Sequence, residues 1–183
     1  MDYELIRSRR RTLCAEIRQG RLVVRVPMRT PEAEIRRFLQ EKDAWIRKHL
    51  AQAQAQEEAK KWMPLLSEED IRFLAQQARM LIPQRAAWYA RLMGVTYGRI
   101  TIRCQRTRWG SCSSKGNLNF NCLLMLAPRE VIDSVIVHEL CHLKHLNHSK
   151  AFYDEVRRVF PDYDTQDRWL KKNGPLLMAR LGE

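Results

Sequence analysis

His138 and His142 stand four residues apart in Val137-His138-Glu139-Leu140-Cys141-His142, inside a stretch from Val131 that is apolar on nearly every side. If the stretch is a helix, both imidazoles lie one turn apart on one face, where they can grip a tetrahedral zinc ion. Glu139 then sits beside the ion without ligating it. A carboxylate so placed can take the proton of an attacking water, whose pKa the metal lowers to about 7. The apolar surroundings strengthen this reading, because a charged trio buried without a task is costly.

Such a site needs a third ligand, and the sequence offers His145, His148 and Glu155. His145 shares the helical face but lies roughly 10 Å along the axis from His138, too far to close the same tetrahedron. His148 follows Asn147, a residue that tolerates the left-handed backbone of a helix end, so a turn there swings His148 back toward the ion. Glu155 is the alternative, a carboxylate reaching in from the next helix. His49 and His145 read as ordinary packed or hydrogen-bonded histidines.

Residues 3–7 and 13–17 alternate like strands, and Leu22–Val26 follows Gln19-Gly20, which predicts a β-hairpin turning at the glycine. Thr30-Pro31 reads as a helix N-cap with proline at the first position, opening one long helix whose apolar stripe runs Ile35, Phe38, Leu39, Trp45, Ile46, Leu50. The polar run Ala51–Lys61 reads as the end of that helix or a linker, and it places a boundary between a hairpin-plus-helix lobe at 1–62 and a catalytic domain at 63–183, the two expected to form one compact unit. Ser67 to Asp70 resembles a capping box before a second helix, which Pro83 should kink or end. Strands are expected over 97–103 and 117–122 around a Gly/Ser-rich turn, then a helix from Pro128 carrying the two histidines and two more helices to residue 181.

The chain of 183 residues can bury roughly two-thirds of its unfolded surface, so any metal is free to be functional rather than structural. Its longest apolar runs, such as Cys122–Ala127, fall far short of the ~20 residues of a membrane span. The first residues, MDYELIRSRRR, hold charges where a secretory signal is apolar, and five cysteines without a C-x-x-C pair suit free thiols; both point to a cytoplasmic protein. With 33 Lys plus Arg against 21 Asp plus Glu, the charge is +12. From 95 to 127 there are five basic residues and no acidic one, a field that would draw a polyanion such as nucleic acid or a nucleotide. Arg106 and Arg108 are its candidate contacts, with pairing to a buried acid such as Asp133 as the opposing reading. Cys112 and Cys141 carry no local sign of an activated thiolate.

Three segments in order, Arg108-Trp109-Gly110-Ser111-Cys112, Gly116-Asn117-Leu118-Asn119-Phe120-Asn121 and the run from His138 to Tyr153, resemble the YgjP-like metallopeptidase family, which is similar to the SprT-type and WLM-type zinc proteases. The resemblance is specific from Thr107 to Tyr153 and weak from Pro27 to Ile46. It implies an α+β zincin-like domain in which the helix of the two histidines packs on a short antiparallel or mixed sheet. It also implies one Zn2+ on His138, His142 and His148, with Glu139 as general base. The segment around Trp109, Gly110 and Ser111 is implied to lie near the metal, before a strand against which an extended peptide or protein substrate pairs. Other activities stay open beside the peptidase: a UTP pyrophosphatase, which the resemblance also raises although no phosphate loop is present, a protease recruited to DNA, and a purely structural metal site. The oligomeric state is not legible.

Overall fold

The computed structural model describes residues 2–18 and 20–182, and the chain divides into two compact units, Met1–Met63 and Pro64–Glu183.

The first unit holds strands β1 (Tyr3–Ser8), β2 (Cys14–Arg18) and β3 (Arg21–Pro27) and helices α1 (Glu32–Glu41) and α2 (Asp43–Lys61). β2 and β3 form the antiparallel hairpin, with Gly20 at φ +73; Gln19 of the expected turn lies outside the described residues. β1 pairs parallel with β3, so the order is β1-β3-β2, a crossover that alternation alone does not reveal. Leu22, Val24 and Val26 alternate onto the buried face and meet Ile35 and Ile46. The single long helix expected from the apolar stripe is two helices broken at Lys42, and Trp45 is exposed rather than packed. No proline or glycine marks that break. The first helix starts one residue later than expected, with Pro31 at its boundary and no side-chain cap.

The second unit contains α3 (Glu68–Met93), β4 (Ile100–Arg103), β5 (Gly110–Cys112), β6 (Leu118–Asn121), a 3-10 turn at Cys122–Leu126, α4 (Arg129–Cys141), α5 (Lys150–Val159) and α6 (Tyr163–Ala179). With its sheets and helices in one chain the protein is of the α+β class. Ser67 and Asp70 form the full capping box of α3, and Gly94 ends it at φ +64. Pro83 neither ends nor divides this helix. The buried stripe Leu74, Ala78, Ile82, Ala86, Tyr89, Ala90, Met93 runs through both halves, and its packing outweighs the one backbone donor that proline removes.

β6 is the central strand, parallel to β4 and antiparallel to β5. Leu118 and Phe120 point into the core, paired with Ile100 and Ile102 on one side and with Cys112 and Gly110 on the other. α4 is buried from Val131 to Val137 and again from Glu139 to Cys141, as a helix apolar all round must be. Its buried Asp133 is held by Arg85 of α3 through two hydrogen bonds of 2.8 and 2.6 Å. Arg106 and Arg108 therefore do not pair with Asp133. Among the described residues, no helix is long and apolar enough to cross a membrane.

Candidate metal and catalytic centre

His138 lies in the last turn of α4 and His142 caps it, so the helix ends at Cys141, well before the turn expected at Asn147. The chain then winds tightly, with the His145 amide donating to the Cys141 carbonyl at 2.9 Å, before Ser149 caps α5. That short return brings His148 Nε2 to 3.0 Å from His138 Nε2. One nitrogen from each of His138, His142 and His148 lies within 4.8 Å of the others. Beneath them sits the buried ring of Phe152, whose centroid is 4.9, 4.7 and 4.8 Å from those of His138, His142 and His148.

The hydrogen bonds behind the histidines set which nitrogen faces inward. His142 Nδ1 lies 3.1 Å from the His145 carbonyl, which can only accept, so Nδ1 carries the proton and Nε2 the lone pair. His138 Nδ1 is 2.8 Å from the Tyr163 hydroxyl, leaving its Nε2 toward His148. Burial pushes His138 down to about 3, with His142 and His148 adding to the effect, and burial also lowers His142. The ring nitrogens of the three imidazoles converge on one point, a nitrogen donor set that fits a divalent cation. His145 contributes its carbonyl rather than its ring, and Glu155 faces elsewhere. Hydrogen bonds from Arg158 and Lys144 hold the Glu155 carboxyl down at about 2, and the pair with Lys144 ties the loop before His148 to α5.

Glu139 is 6% exposed, and burial lifts its carboxyl to about 8 against the opposing pull of the Arg108 guanidinium. Gly110 of β5 lies directly against it. A Cβ at Gly110 would stand 2.6 Å from Glu139 Oε1, so only glycine leaves room for the carboxylate. Gly110 is placed by Asn121, fully buried, whose side-chain amide donates to the carbonyls of Gln105 at 2.6 Å and Arg108 at 3.1 Å, while its backbone amide donates to the Trp109 carbonyl.

Two cavities share Gly110, His138 and Glu139. One, of about 170 Å³, is walled by Trp109, Val135, Tyr163, Asp167 and Leu170; the other, of about 320 Å³, by residues 110–114, His142, Leu146 and His148. Of the residues picked out from the sequence, Trp109 and Gly110 line the first and Gly110 and Ser111 the second. Arg108 lines neither but acts on Glu139 electrostatically, and Arg106 donates to the Leu181 carbonyl at 3.3 Å. Cys112 and Cys141 have thiols pushed up by burial, Cys141 to about 12, so neither is a ready thiolate. Tyr163, Asp167 and Leu170 were not legible: they come from α6, beyond the histidines and the whole of α5, and carry no motif.

A small α+β domain whose buried helix presents two histidines and a glutamate to a third histidine is the layout of a metallohydrolase. The sequence matches the YgjP-like family, metallopeptidase domain, over residues 11–74 and 66–173, and the chain belongs to that family. Solved structures similar to it include the metallopeptidase zymogens of Pyrococcus abyssi abylysin, at 23% identity and TM-score 0.45 over 50% of this chain and 94% of that one, and of Methanocaldococcus jannaschii jannalysin, at 21% identity and TM-score 0.45 over 50% and 95%. No curated protein matches the sequence.

Proposed function

We propose that the protein is a zinc-dependent peptidase in which His138, His142 and His148 hold the metal and Glu139 is the general base. The observation that carries this reading is the convergence of three imidazole nitrogens beside a buried carboxylate within a metallopeptidase-family domain. Zinc bound there would supply an acidified water and polarise the scissile carbonyl. The protein's own groups do the rest. Glu139 accepts the proton of the attacking water on a carboxylate oxygen and passes it to the departing amine nitrogen. Tyr163 and the His145 carbonyl fix the orientation of the two helix-borne imidazoles. β5, the edge strand beside Glu139, is the strand to which an extended peptide would add.

The nucleotide and DNA readings draw less support. Arg103 is engaged with Asn119 and Arg106 with the Leu181 carbonyl, and among the described residues no lysine or arginine lines the smaller cavity to receive a phosphate. Zinc-loaded wild type and Glu139→Gln, assayed on an unfolded protein, on UTP and on a DNA-bound protein, test the proposal. Hydrolysis of the unfolded protein that disappears in Glu139→Gln is expected. Hydrolysis of UTP alone would overturn it.

A further inference from the structure

The smaller cavity combines apolar walls with carboxyl groups. It opens beside Glu139 and His138, holds about 170 Å³ and has apolar walls in Trp109, Val135 and Leu170. Trp109 is rigidly backed: a Cβ at Gly174 of α6 would come within 3.1 Å of the indole, so ring and helix are in close contact. The neutral polar groups at the wall are already committed. Ser134 Oγ donates to the Val131 carbonyl at 2.8 Å, and the Tyr163 hydroxyl is taken by His138. What remains beyond the catalytic pair is Asp167.

Asp167 pairs with Lys171 at 2.6 Å, one turn along α6, but the Lys171 side chain is 74% exposed against 28% for Asp167. A solvent-exposed pair of this kind is weak, so an arriving cation can share or replace the lysine. No lysine or arginine lines the cavity among the described residues, in a chain of net charge +12. An aliphatic stem can lie along Val135, Leu170 and the indole while its cationic end meets the carboxylate.

We propose that this cavity is the substrate's side-chain subsite and that it takes lysine or arginine, tolerates a neutral apolar residue and rejects glutamate and aspartate. The proposal deepens the peptidase reading and rests on it. Asp167 is its specificity-determining residue.

The test measures binding separately from turnover. Zinc-loaded Glu139→Gln protein is titrated calorimetrically with hexapeptides carrying Lys, Leu or Glu at one position, moved in turn along an otherwise Ala/Gly sequence. At one position Lys should bind about tenfold more tightly than Leu, and Leu more tightly than Glu, as one charge-assisted hydrogen bond provides. Adding Asp167→Asn should bring the Lys-to-Leu ratio near one, Asp167→Lys should favour Glu over Lys, and Lys171→Ala, which leaves the carboxylate in place, should widen the Lys preference. Equal binding of the three peptides, or a Lys preference that Asp167→Asn leaves intact, would overturn the subsite. The same peptides given to the wild type separate the two claims: the predicted ranking without cleavage of any peptide sinks the peptidase reading alone, and cleavage with a ranking blind to Asp167 sinks the subsite alone.

Discussion

The Tyr163 hydroxyl meets His138 Nδ1 at 2.8 Å, joining the start of α6 to the last turn of α4. Both groups are largely buried, and burial raises the phenol, so it stays a neutral hydrogen-bond partner. A partner of this kind holds the ring plane of an imidazole whose Nε2 faces His148. Tyr163→Phe should weaken zinc affinity by about 10–100-fold with little loss of fold, as competition with a chromogenic chelator would show. Unchanged affinity would mean that packing against Phe152 alone orients His138.

The roles of the two nearby histidines separate cleanly. His148→Ala should lower zinc affinity sharply, since two imidazoles remain where three converge. His145→Ala should not, because His145 serves through its backbone carbonyl. Metal content of both variants by mass spectrometry after dialysis checks this, and zinc loss in His145→Ala would contradict the geometry.

Gly110 is the residue that makes space for the base. Gly110→Ala should cut peptide hydrolysis by about 100-fold, the scale of a displacement near 1 Å at a reacting group, because its methyl would enter the volume of the Glu139 carboxylate. Zinc content should hold. Steady-state kinetics beside metal analysis distinguish a misplaced base from a lost metal.

Glu155 fastens the loop that delivers His148. Its carboxyl is held near 2 by Arg158 and Lys144, below the ordinary 4.5, so the ionised form is favoured by folding. The stabilisation is complete above about pH 4.5 and is lost as pH falls through about 2. The Tm difference between wild type and Glu155→Gln, followed from pH 7 to pH 2, should therefore be constant at first and vanish at the acid end.

Asp133 and Arg85 tie α4 to α3 in the core. Removing one partner of a buried pair strands the other charge, and with Arg85 about a quarter exposed, Asp133→Asn should cost about 3 kcal/mol. Arg106→Gln, which loses one 3.3 Å contact at the surface, should stay within about 0.5 kcal/mol. Urea denaturation of both variants tests the assignment.

The features legible along the chain are those that neighbouring residues settle among themselves. The spacing of His138 and His142, the Ser67–Asp70 capping box, the turn at Gly20 and the alternation of Leu22, Val24 and Val26 all act within about one helical turn or one strand, and each is present in the fold. Tertiary structure decided the rest. The stripe from Ile35 to Leu50 gave no hint of the break at Lys42, Pro83 suggested an end that burial of both halves overrode, and β1 joined β3 in parallel. Asp133 took Arg85, 48 residues away, and not the arginines before Trp109. Tyr163 and Asp167 reached the site because α6 packs against α4, bringing a phenol to His138 and a carboxylate to the cavity wall. Side chains that meet only across packed helices leave no periodicity in the chain, since their contact depends on how the whole core closes rather than on their distance in sequence.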